Sequence, residues 1–275
     1  MRVGQYRISI HNHGFFRLDG GAMFGSVPKA LWATEAPADD DNRILLATRS
    51  LIIESDDRKI LVDVGCGDKW TEKGRGIFCI ADGPYVPVPD VTDVILTHLH
   101  FDHAGGVSRF LPGCSEVEPC YPKAKHWISA ENYMNAQSPH IRERASYLVE
   151  NVGALSAVDV VLTESEQELY PGITVHRCDG HTRGLHWVKL SDGGITVVFP
   201  ADLMPTSKHI PAAYVMGYDM CAERSMAEKS QFLKEASEGS WIVVFEHDPV
   251  VAAGRIAFDE RGRATLSEIV DLPER

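Results

Sequence analysis

The stretch ILTHLHFDHAGG places His98, His100, Asp102 and His103, four side chains able to bind a metal, within six residues and directly after an apolar run. Alternate residues of an extended chain face the same way, so His98 and His100 share a side while Leu99 turns into the core. Asp102 and His103 fall on the following turn, which Ala104-Gly105-Gly106 opens. A tetrahedral zinc site takes nitrogen and oxygen ligands at roughly 2.0–2.2 Å. Four ligands so close together exceed what one ion comfortably uses, and the spacing points to two metals. His181 in CDGHTRG, Asp202 in FPADLMP and His247 in FEHDP supply the remainder, each where an apolar strand stops. A lone histidine at a strand end is most often a hydrogen-bonded surface residue, and only the dense motif in the same chain promotes His181 and His247. His11, His13, His126, His140, His176 and His186 are read as structural.

Strands must position these residues. SLIIES and KILVDVG, separated by a polar turn, read as a hairpin whose second strand ends at Gly65. VTDVILTH is a buried strand ending in the motif. HWVKLSDGGITVVFPAD is a second hairpin, with its turn signal at Asp192-Gly193-Gly194. SWIVVFEHDP is another strand, again ending in a histidine. Helical spacing appears in ISAENYMNAQ, in HIRERASYLVENVGAL and in SMAEKSQFLKEASEG, where Met226, Phe232 and Leu233 share a face and Gly239 stops the helix. ATEAPADDDNR is a surface loop. No internal repeat or linker divides the chain, so residues 1–275 are expected to form a single domain.

Composition narrows the partners. With 275 residues, 44% of them hydrophobic and 24% charged, the chain has enough apolar material for a substantial core. Its net charge of -12 repels phosphate backbones and anionic lipid, which argues against nucleic acid and against a membrane surface. No stretch approaches the roughly 20 apolar residues of a membrane span, and MRVGQYRISIHNHG lacks a signal-peptide core. The expected location is the cytoplasm, with the six cysteines as free thiols and a homodimer compatible with the sequence.

Taken together, the motifs resemble the metallo-β-lactamase superfamily. ILVDVG resembles its early strand with a supporting aspartate, THLHFDHAGG its dinuclear ligand motif and DGHTRG its GHTxG turn. The resemblance implies an α/β fold, a four-layer αββα sandwich, with the site at one edge between two sheets. It also implies one metal held by His98, His100 and His181, a second by Asp102, His103 and His247, and Asp202 bridging them. Among its branches the chain is most similar to the lactonase and organophosphorus-hydrolase group, where a segment like GGAMFGSVPKALW lies over the entrance. Three positions depart from the pattern. Arg183 stands where the turn often has proline, Ala201 where glycine usually precedes the bridging aspartate, and Pro205 where acyl-homoserine lactonases carry a tyrosine.

The resulting expectation is a hydrolase with two divalent metal ions, zinc first, that uses a bridging hydroxide to cleave a small-molecule ester or lactone. The alternative substrates are an organophosphorus triester or a phosphodiester. A non-enzymatic scaffold would have lost ligands, whereas all seven positions are filled. Asp102 and Asp202 are read as catalytic, Asp63 as a support for a ligand imidazole or a cap for the turn, and Met23, Phe24 and Trp32 as pocket lining or core. His209, seven residues beyond Asp202, is expected to supply the leaving-group proton in place of the missing phenol, with Tyr214 and Tyr218 as substitutes for it.

Overall fold

Alternation of β-branched and aromatic residues builds two seven-stranded sheets in the computed structural model, which describes residues 1–111 and 113–275. The first sheet runs in chain order through β1 (Arg2–Val3), β2 (Tyr6–Asp19), β3 (Arg43–Glu54), β4 (Lys59–Val62), β5 (Asp93–Leu96), β6 (Lys125–Ser129) and β7 (Asp159–Thr163). The second runs through β8 (Glu166–Tyr170), β9 (Ile173–Cys178), β10 (Leu185–Asp192), β11 (Ile195–Phe199), β12 (Ile242–Val244), β13 (Ala253–Phe258) and β14 (Ala264–Ile269). Pairing is antiparallel except from β4 to β7 and between β11 and β12, where it is parallel.

Period-two patterning decides which face of each strand is buried where. Ile8, Ile10, Leu51, Ile53, Ile60 and Val62 of the first sheet meet Val175, Val188, Leu190, Val197, Phe199 and Val244 of the second in one core. The other face of the first sheet, with Ile52, Leu61, Val94, Leu96 and Ile128, is covered by Ala136 and Leu155 from helical segments. The other face of the second sheet, with Trp187, Val198 and Val243, is covered by Phe232, Leu233 and Ala236 of the helix Ala222–Glu238. Helix, sheet, sheet and helix make the four-layer αββα sandwich that the resemblance implies. Both hairpins form, with Glu54 paired to Lys59 and Asp192 to Ile195. Among the described residues no helix is long and apolar enough to cross a membrane.

Several expectations change. The strand after the first hairpin turn stops at Val62, before Gly65, because Asp63 takes a left-handed φ of 57° that breaks the extended run. HIRERASYLVENVGAL is not one helix: a single turn at Arg144–Ser146 and the helix Val149–Ala154 are separated by extended Tyr147 and Leu148. Glu143 and Tyr147 turn inward there to bond Thr182, and Ile141 and Val149 remain exposed. The long helix buries Ser225, Lys229, Phe232, Leu233 and Ala236, while Met226 faces solvent, so the apolar stripe is narrower than its spacing suggested.

Candidate metal centre

Every strand that delivers a chemical side chain does so just beyond its C-terminal end. Asp63 follows β4, His98 follows β5, His181 follows β9, Asp202 follows β11 and His247 follows β12. The turn after the motif is pressed against the Cys66-Gly67 loop. A Cβ on Gly105 would lie 2.1 Å from the Cys66 carbonyl carbon and one on Gly106 2.3 Å from the Val64 oxygen, which is why the run reads Ala-Gly-Gly. Ala201, before Asp202, sits at φ 49°, the conformation glycine adopts freely and alanine only with strain of roughly 1–2 kcal/mol.

The seven residues form two buried clusters that share one member. His98, His100, His181 and Asp202 bring one ligand atom each within 4.8 Å of one another, and so do Asp102, His103, Asp202 and His247. Asp202 Oδ2 stands 3.1 Å from His181 Nε2, 3.5 Å from His103 Nε2 and 3.9 Å from His98 Nε2, while its Oδ1 is 3.3 Å from His247 Nε2. Asp102 reaches the second cluster from the side, 3.6 Å from His247 Nε2 and 3.8 Å from His103 Nε2.

The outward hydrogen bonds fix the ring orientations. His181 Nδ1 donates to Asp219 at 2.9 Å, His103 Nδ1 to Asp63 at 2.9 Å and His247 Nδ1 to the Ala47 carbonyl at 2.7 Å. His98 Nδ1 lies 3.2 Å from the Thr97 hydroxyl, whose own proton goes to Asp63. In the neutral rings each Nε2 is then a bare lone pair aimed inward. His100 is reversed, with Nδ1 inward, 3.2 Å from His181 Nε2, and Nε2 3.6 Å from Glu143. His103 and His247 face each other Nε2 to Nε2 at 3.2 Å, where two lone pairs repel unless a cation lies between them. His98 Nε2 and Asp202 Oδ1 are buried without a hydrogen-bond partner. Imidazole and carboxylate donors in this arrangement fit divalent ions of the zinc class.

Burial and neighbouring charges shift the ionisation of these groups in opposite directions. Burial pushes His98 well below an ordinary imidazole, and the neighbouring His103 and His100 add to the effect. Burial opposes the charged form of His247 too, but Glu246 and Asp202 lift it to about 9. His181 is raised because Asp202 and Asp219 outweigh its burial. Asp202 is held well below the carboxylate range, its burial outweighed by His103 and His181.

A cleft of about 220 Å³ opens on the cluster. His100, Asp102, His181, Asp202 and His247 lie in its wall beside Leu18, Met23, Phe78, Phe101 and Met216. His209 is not brought to it. Its ring stacks on Phe24 at 4.7 Å, Nδ1 pairs with the Thr206 hydroxyl at 2.7 Å and Nε2 with the Met23 carbonyl at 2.9 Å, so neither nitrogen is free to protonate a leaving group. Burial and nearby Lys229 further lower its pKa to about 4. Of the expected lining only Met23 reaches the cleft, since Phe24 and Trp32 stack on each other at 5.2 Å in the core beside it. Tyr218 lines the cleft, whereas Tyr214 packs edge-on against Phe24. Asp63 supports His103, as one of its two readings had it.

Sequence reasoning missed Asp219, Glu143 and Glu246. Asp219 sits in an irregular segment with no periodic signal, and Glu143 in a stretch whose helical spacing concealed its inward turn. Glu246 could have been flagged as an acid ending a strongly apolar run. It is buried, its Oε2 lies 3.1 Å from His103 Nδ1, whose hydrogen Asp63 takes, and its own oxygens lack donors, so burial raises it to about 8.

Residues 43–250 match the family model described as the metallo-beta-lactamase superfamily. The chain is similar to the solved structure of a probable metal-dependent hydrolase from Staphylococcus aureus, with 28% identity and a TM-score of 0.87 over 98% of this chain and 100% of that one. It is also similar to AidC, a dizinc quorum-quenching lactonase in complex with a product, with 20% identity and a TM-score of 0.78 over 99% and 97% of the two chains. A third likeness is to the hydrolase AbOPH of the beta lactamase superfamily, with 16% identity and a TM-score of 0.77 over 98% and 97%. The last two likenesses are those of fold alone. No curated protein matches the chain in sequence.

Proposed function

The chain belongs to the metallo-beta-lactamase superfamily, and from that premise we propose that it is a hydrolase of small-molecule esters or lactones that works with two divalent metal ions, zinc in the first instance. The observation that carries the reading is the sharing of Asp202 between two buried four-residue clusters. His98, His100 and His181 would hold one ion, Asp102, His103 and His247 the other, and Asp202 both. Bound ions of this kind acidify a water and polarise the attacked oxygen, worth several kcal/mol of transition-state stabilisation.

The chain's own groups do the rest. Asp102 lies in the cleft wall, and its carboxylate can accept a hydrogen bond from the attacking water and aim it at the carbonyl carbon. Leu18, Met23, Phe101 and Met216 exclude water around an acyl group. The Tyr218 phenol, raised to about 12 by burial and by the nearby Asp19 and Asp102 carboxylates, stays protonated and can donate to the substrate oxygen, the role first sought at His209. The lactonase among the similar structures supports a small-molecule acyl substrate.

The test is metal analysis together with a hydrolysis screen of lactones, aryl esters, phosphotriesters and phosphodiesters on zinc-loaded protein. Two ions per chain and turnover of esters or lactones are expected. One ion in a fully active preparation, or activity on phosphodiesters alone, would overturn the proposal.

A further inference from the structure

Arg142 stands in the cleft wall with no part in the chemistry described above. It lies between the helices Ala130–Gln137 and Val149–Ala154, and its neighbours in the wall are Ser146 on its own segment and Gly217 and Tyr218 on another. Nη2 donates to the Gly217 carbonyl and, at 3.4 Å, to the Asp219 carbonyl. One edge of the guanidinium is therefore anchored, and among the described residues Nε and Nη1 have no protein acceptor.

No carboxylate lies within the 4.0 Å ion-pair distance of Arg142 among the described residues, although the chain carries a net charge of -12. The arginines around the His181 turn are different. Arg177, Arg183 and Arg224 are each paired with Asp179, Glu131 or Glu228. Glu143, the nearest acid in sequence, lines the same cleft but has its oxygens occupied by the Thr182 hydroxyl at 2.6 Å and the Asn135 amide at 2.9 Å. An anchored guanidinium without an ion-pair partner, exposed at the edge of a cleft whose wall is mostly apolar, can receive an anion through the charged Nε–H and Nη1–H groups that the protein leaves free.

We infer that Arg142 receives a carboxylate carried by the substrate away from the bond that is cleaved, with the apolar wall taking the chain between them. This inference rests on the hydrolase reading and narrows it to anionic esters or lactones. The test compares mono(4-nitrophenyl) glutarate with its terminal carboxamide, which share leaving group and length. Wild type should favour the carboxylate in kcat/KM by about tenfold or more, the worth of a hydrogen bond to a charged group. Arg142→Gln should remove that preference, and Arg142→Lys should keep part of it.

Equal turnover of both esters by wild type would overturn the inference and leave the hydrolase reading intact. So would an equal loss on both in Arg142→Gln, which would mean that Arg142 only ties the Gly217–Asp219 segment in place. If neither ester is turned over, the hydrolase reading is the one in difficulty. Calorimetric binding of the corresponding 4-nitroanilides, which resist hydrolysis, then decides the inference by itself. Tighter binding of the carboxylate, abolished in Arg142→Gln, upholds it, and equal binding overturns it.

Discussion

Asp219→Asn removes one negative charge from behind His181 while keeping the size of the side chain. The wild-type carboxylate accepts from His181 Nδ1 at 2.9 Å in a buried setting, which holds the ring and raises the basicity of Nε2. The amide oxygen of asparagine can still accept that hydrogen bond, so the ring should stay in place and lose mainly the electrostatic support. Outer partners of this kind are worth about 10- to 100-fold in metal affinity. With free zinc set at about 100 times the wild-type Kd, mass action stabilises wild type by about 2.7 kcal/mol, and the variant by about 0.4 to 1.4 kcal/mol. The difference of about 1.3 to 2.3 kcal/mol corresponds to a melting temperature lower by roughly 3–9 °C for a chain of this size. The assay is zinc titration against a chromophoric chelator, paired with melting curves with and without zinc. An unchanged Kd, or a melting temperature lowered equally in both conditions, would refute the reasoning, because Asp219 would then serve the fold and not the metal.

Asp202→Asn should leave the fold intact but weaken both clusters, so zinc content falls below two ions per chain and turnover drops by orders of magnitude. Near wild-type values for both would exclude Asp202 as the shared ligand. Lys229, buried with its ammonium bonded to the His209 and Tyr214 carbonyls, has its pKa lowered by burial to about 7. Between pH 7 and its ordinary value of 10.5 the unfolded chain binds more protons at this lysine, so stability rises with pH across that window. Urea denaturation at pH 7 and pH 10 should show wild type gaining on Lys229→Met by a few kcal/mol, since each tenfold change in proton affinity is worth about 1.4 kcal/mol. A constant difference would contradict the depressed lysine. His209→Ala should destabilise the protein by roughly 3 kcal/mol through the lost stack on Phe24 and lower rates equally for good and poor leaving groups. A loss confined to poor leaving groups would return His209 to the reaction.

The candidate metal ligands were legible because strand and motif work at short range. Once β5 is recognised, its pleat and the turn after it dictate that His98, His100, Asp102 and His103 emerge together, and the end of each apolar run marks where His181, Asp202 and His247 must appear. The hairpins were legible for the same reason, since a two-residue turn and period-two burial are local. The segment around Glu143 was not, because what ends its helical course is a set of bonds to Thr182, 39 residues further on.

The sequence by itself determined the order of the candidate ligands, the hairpins and the surface loop, which follow from patterns that repeat within a dozen residues, while the pair of sheets came from the resemblance of the motifs to the superfamily. Tertiary structure alone decided what each candidate ligand leans on. His181 is held by Asp219 from 38 residues away, His103 by Asp63 from 40 and His247 by the Ala47 carbonyl from 200. It also decided that His209 is buried under Phe24 while Tyr218 and Arg142 face the cleft. The physical reason is that a strand end fixes where a side chain begins, whereas its hydrogen-bond partner and its exposure depend on which distant loops close over it.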